Sequence, residues 1–105
     1  MIASPQMIRH IVMWKLRGAS PEGKRRNAEQ ARAALLSMVG KVPGLAQMEV
    51  GIASVTGEQE SDIVLTTTHE SWEALSEYSN HADHEPVKKL IGELRTERRV
   101  IDYEV

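Results

Sequence analysis

The chain contains no cysteine. This excludes disulfides, thiolate nucleophiles and every zinc or iron–sulfur site built on cysteine ligands. It also fits a reducing cytoplasm, the expected location. Long apolar runs are missing too: none approaches the roughly 18 residues that span a bilayer. The opening Met1–Gln6 is too short and too weakly apolar for a secretory signal, and reads as a loose extension ahead of a single domain over residues 7–105. Neither sign of charge dominates, with 13 basic against 15 acidic side chains and a net charge of −2. Such a balance makes no electrostatic magnet for nucleic acid or anionic lipid, and neither partner is expected. There is no phosphate-cradling glycine loop, no nucleophile elbow, no RNA-reading aromatic pair on strands and no internal repeat.

What is present is the composition of one small folded domain. A chain of 105 residues buries only roughly two-thirds of the surface its unfolded form exposes, so it folds alone with little core to spare. The segment from Met7 to Arg17, MIRHIVMWKLR, is rich in branched and aromatic residues without glycine or proline, and predicts a strand. One face carries Ile8, His10, Val12, Trp14 and Leu16; the other carries Met7, Arg9, Ile11, Met13 and Lys15. Both faces are apolar mid-strand, which predicts cover on both sides. Ser20-Pro21-Glu22 then opens a helix as cap, first-turn proline and dipole-matched acid. Ala28, Ala31, Leu35, Met38, Val39 and Val42 carry the helical stripe to about Val42, and Pro43-Gly44 ends it.

Two further strands, Leu45–Val55 and Asp62–His69, are joined by a polar link and predict a hairpin. Ser71 caps a second helix, and Glu85-Pro86 opens a third with Val87, Leu90, Ile91 and Leu94 on its stripe. Glu97–Val105 closes the chain as a strand. The order β-α-β-β-α(α)-β predicts an α+β, ferredoxin-like subunit: a four-stranded antiparallel sheet with its helices on one face. The other face is left bare, with Ile11, Met13, Ile63 and Leu65 assigned to it. If about 600 Å² of apolar surface per subunit were exposed there, hiding it is worth on the order of 15 kcal/mol before association costs. A second copy is the simplest cover, so a homodimer through the sheet faces is expected.

Three places carry polar side chains with chemical capacity. His10 is either a hydrogen-bonded core histidine or a polar group in the wall of a pocket. Tyr78-Ser-Asn-His81-Ala-Asp-His84 is the densest cluster. His81 and His84 lack an evident third and fourth ligand, so no metal site is expected. Tyr78 with a histidine can polarise a carbonyl and move a proton without a cofactor; alternatively His81 and Asn80 end one helix and Asp83 caps the next. Asp102, among apolar residues of the last strand, either faces solvent or pairs with Arg99 or Arg9.

The opening RHIVMWKL, the Pro43-Gly44 turn, the Tyr78-x-x-His81-x-x-His84 run and the ending Val100-Ile-Asp102-Tyr103 resemble the stress-responsive A/B barrel (Dabb) family, from about Met7 to Val105. The resemblance implies a ferredoxin-like subunit that dimerises through its sheet into an α/β barrel, without a cofactor. Most members have no established reaction; some plant members are stress-associated, and one is a cofactor-free polyketide cyclase performing an intramolecular aldol condensation between sheet and helices. Carried over by position, its tyrosine–histidine pair falls on Tyr78 and His84. Its strand-one histidine falls on His10 and its pocket lining on Val12 and Trp14. A second pocket histidine falls at Asp62 and a first-helix tyrosine near Leu35, so the cyclase pattern is incomplete here. Trp14 replaces a smaller residue and narrows the pocket, and Ala82 stands where proline is usual. The implied protein binds a small hydrophobic or aromatic molecule through His10, Val12, Trp14, Asp62 and His81. As an enzyme it is of cyclase type with Tyr78 and His84, or of the related cofactor-free small monooxygenase type.

Overall fold

The computed structural model describes residues 6–55 and 57–105; the expected extension falls, but for Gln6, outside the described residues. Strand β1 (Ile8–Leu16) leads into helix α1 (Pro21–Leu36), then β2 (Leu45–Ile52), β3 (Ile63–His69), α2 (Trp72–Asn80), a single 3-10 turn (Ala82–His84), α3 (Glu85–Leu94) and β4 (Arg95–Glu104). The sheet is antiparallel, ordered β2-β3-β1-β4, with the helices on one face. This is the ferredoxin-like arrangement.

Local chemistry explains the boundaries. The Gly23 N–H donates to Ser20 Oγ at 3.1 Å and the Ala74 N–H to Ser71 Oγ at 3.0 Å, each satisfying one of the unpaired donors at a helix start. Helix α1 stops at Leu36, short of Val42. Ser37 Oγ donates to the Ala34 carbonyl at 2.6 Å, and the chain continues as turns through Gly40, whose φ is +81°. Those turns keep Met38 and Val42 buried, so the three-and-four spacing outlasts the helix itself. Gly44, at φ +77°, starts β2 so close to α2 that a Cβ there would sit 2.6 Å from Ala74 Cβ.

Register decides which face each strand presents. On β1, Ile8, His10, Val12, Trp14 and Leu16 point into the helix-covered core. Leu65 lies opposite Val12 and Ile63 opposite Trp14, and both are 2% exposed. The assignment of Ile63 and Leu65 to the bare face is therefore corrected. Paired residues share a face, so Val64 and Thr66 stand beside Met13 and Ile11 on the open side. There β4 contributes Arg99, Ile101 and Tyr103, opposite Met13, Ile11 and Arg9. Met13, Ile101 and Tyr103 are exposed, so the predicted cover on both sides of β1 exists within the subunit on one side only.

Candidate functional site

A cavity of about 400 Å³ opens between the sheet and the α2–α3 connection, lined by residues including His10, Val12, Trp14, Leu65, Tyr78 and His84. Strand alternation brings His10, Val12 and Trp14 to this wall from β1; Tyr78 comes from the end of α2, where it is completely buried. The 3-10 turn after α2 folds His84 back over it. The ring centroids of Tyr78 and His84 are 4.4 Å apart, with the planes tilted by 36°.

Hydrogen bonds determine which nitrogens are free. His84 Nδ1 lies 2.9 Å from the Tyr78 carbonyl oxygen. A carbonyl only accepts, so Nδ1 carries the hydrogen, and in the neutral ring Nε2 keeps its lone pair. Burial pulls the His84 pKa below its ordinary 6.5, partly opposed by that hydrogen bond, so the neutral base prevails at pH 7. Tyr78 Oη is buried without a hydrogen-bond partner among the described residues, and burial pushes its pKa up to about 12. The hydroxyl therefore stays protonated and has a hydrogen to donate.

Behind this pair lies a second histidine–acid unit. His10 pairs in register with Asp102 across β1 and β4, and Nδ1 donates to Asp102 Oδ1 at 2.5 Å. Of the alternatives for Asp102, no arginine takes it: its carboxylate pairs with His10 while staying about a third exposed to solvent, at 34%. His10 stands 6.1 Å from the Tyr78 ring and 6.3 Å from that of His69.

His69 is the member that sequence reasoning missed. Its ring is fully buried, centred 4.9 Å from Tyr78, with Nε2 2.7 Å from Thr67 Oγ1 and Nδ1 unpartnered among the described residues. Burial, reinforced by His10 and partly opposed by Asp102, lowers its pKa to about 4. The available signal was period-two alternation: Ile63, Leu65, Thr67 and His69 share one face of β3.

The sequence profile of the stress responsive A/B barrel domain matches residues 8–105. The chain belongs to that family. No curated protein matches this Dabb domain in sequence. Among solved structures it is similar to a dimeric ferredoxin-like protein of unknown function from Bacteroides fragilis: 28% identity, 94% of this chain and 96% of that one covered, TM-score 0.82. A Dabb family protein from Mesorhizobium loti is 21% identical, with 93% and 95% covered and a TM-score of 0.71. The hydroxynitrile lyase of Passiflora edulis shares the fold at 13% identity, with 97% and 95% covered and a TM-score of 0.79.

Two candidates of the Dabb domain lie away from the cavity. Asp62 is at the other end of the β1–β3 pair, where Oδ2 accepts from the Leu16 N–H at 2.7 Å and sits 3.9 Å from Lys24 Nζ. It lines a separate cavity against the start of α1, so its placement beside His10 as a pocket residue is corrected: the β3 register carries it past Trp14. His81 is also off the cavity wall. Its Nδ1 accepts from the Asp83 N–H at 3.1 Å and caps the 3-10 turn. Asp83 lies within that turn, and α3 begins without a side-chain cap. Among the described residues no group of three or more potential ligands is arranged to hold a metal ion.

Proposed function

We propose that the protein is a homodimer whose subunits each bind a small organic carbonyl compound in the Tyr78–His84 cavity and shift a proton on it without a cofactor. The carrying observation is Tyr78, which lines the cavity, packs its ring against a neutral histidine and has a buried hydroxyl without a partner among the described residues. A buried donor left unpaired costs about 1–3 kcal/mol, and a ligand oxygen would supply the missing acceptor. In this reading His84 Nε2 removes a proton from the carbon next to the carbonyl. The bonding pair moves onto the carbonyl oxygen, which accepts a hydrogen bond from Tyr78 Oη. The resulting enolate takes the proton back or attacks a second carbonyl, as in an aldol condensation. His10, held by Asp102, orients the bound molecule. The dimeric state of the Bacteroides fragilis protein and the uncovered apolar sheet face support the assembly.

The test is proton exchange in deuterium oxide. A panel of aryl ketones and β-keto compounds incubated with the protein is expected to lose the α-proton NMR signal faster than with buffer alone. His84→Ala and Tyr78→Phe should each slow this by about 10²–10⁴-fold. The rate should fall as His84 is protonated, at a pH below the ordinary histidine range because burial lowers its pKa. A panel that exchanges no faster than buffer, or exchange indifferent to both substitutions, overturns the reading.

A further inference from the structure

We propose that the molecule held in this cavity is an organic carboxylate, its anionic group held by the guanidinium groups of Arg95 and Arg98. This rests on the reading of the cavity as a ligand site and adds the class of ligand. Both arginines line the cavity, although residues three apart on a regular strand point to opposite faces. A break in register brings them together. Trp14 pairs with Arg98 and Lys15 with Glu97, but Leu16 pairs with Arg95, so one extra residue bulges at Thr96. Such a bulge re-aims the side chains that follow it. Here it sets Arg95 and Arg98 opposite Leu16 and Trp14, both residues of the helix-covered face.

The charge of the wall is one-sided. It carries Lys88, Arg95 and Arg98 and no aspartate or glutamate. Lys88 is already engaged by the Ser79 carbonyl and by Glu85 at 3.4 Å. Neither arginine forms an ion pair among the described residues. A guanidinium pair without a carboxylate, beside the apolar walls of Trp14, Leu65 and Ile91, matches an acid on an aromatic or aliphatic body: fork-shaped donors for the charge, apolar surface for the rest. Tyr78 and His84 on the same wall leave the reacting carbonyl to the other end of the molecule.

Calorimetry on the full chain distinguishes the sources of charge, using 2-naphthoate, its neutral isostere 2-naphthamide, and inorganic phosphate. Naphthoate is expected to bind at least about tenfold tighter than the amide, a difference of about 1.4 kcal/mol, with affinity falling as salt rises. The Arg95→Gln/Arg98→Gln double variant should erase the preference. Arg32→Glu, an equal change of two charge units at an exposed position of α1, should preserve it. Equal affinity for acid and amide, binding of neither, a preference that survives the double variant, or arginine-dependent binding of phosphate alone each overturns the assignment. Failure here separates from failure of the proton-transfer reading. Equal acid and amide binding with deuterium exchange intact removes only the carboxylate; an arginine-dependent acid preference without exchange removes only the catalysis.

Discussion

The two faces of the central sheet are built from the same strands yet do opposite things. The helix-covered face closes within one subunit and places polar rings inside its apolar packing: His10, His69 and Tyr78 are all buried. The other face is left open, with Met13, Ile101 and Tyr103 exposed. Buried polar rings in a core this small are an energetic cost unless something else uses them, whereas exposed apolar side chains on a flat face call for a partner. In the proposed function the covered face takes the ligand and the open face takes the second subunit.

The sharpest way to break this contrast is to cut neighbours that point to opposite faces. Leu65→Ala removes a fully buried side chain opposite Val12, and should lower unfolding free energy by about 2–5 kcal/mol in urea titrations. Val64→Ala, one residue earlier on the open side, should cost the subunit less than half as much. Similar losses at both positions would contradict the register.

Acid should act through the covered face. The His69 pKa lies at about 4 in the folded protein against 6.5 as its ordinary value. Between those values the unfolded chain binds a proton that the folded one does not, so stability is complete above pH 6.5 and falls as pH drops. The loss from His69 alone by pH 4 is roughly 3 kcal/mol, and His84, also lowered by burial, adds in the same direction. Chemical denaturation at pH 7 and pH 4 measures it. His69→Phe should flatten the profile, and a profile as steep as the parent's would place the acid sensitivity elsewhere.

Legibility in the sequence divides along the range of the interactions. Caps and alternation are local, so Ser20, Ser71 and the buried face of β1 were readable, and with them the order of elements and the ferredoxin-like class. The uniform spacing of Leu35, Met38 and Val42 concealed the end of α1, because successive turns repeat nearly as a helix does. Register is not local. Ile63, Val64 and Leu65 are all apolar, so alternation alone did not say which faced the helices. Only the pairing of Leu65 with Val12 decides it. The same missing information put Asp62 in the wrong cavity, hid His69 behind Tyr78 and left Asp102 unassigned. The spacing alone left open whether His81 or His84 joins Tyr78; the pairing with His84 came from the family resemblance. The partnership of Arg95 and Arg98 depends on a bulge that leaves no mark on composition or periodicity.

The smallest expected effect on the fold is also the most direct test of the open face. Ile101 is 57% exposed and lies opposite Ile11 on the open side. Ile101→Asp deletes apolar surface that the isolated subunit never buries, so its intrinsic stability should change by no more than about 0.5 kcal/mol. In a sheet-to-sheet dimer the same carboxylate is forced out of water without a partner, which costs several kcal/mol per buried charge. Light scattering should report a dimer for the parent and a monomer for the variant at equal micromolar concentration, with unchanged far-ultraviolet circular dichroism. A parent that is monomeric, or a variant that remains dimeric, would mean that the apolar strip on β1 and β4 is not the surface joining two subunits.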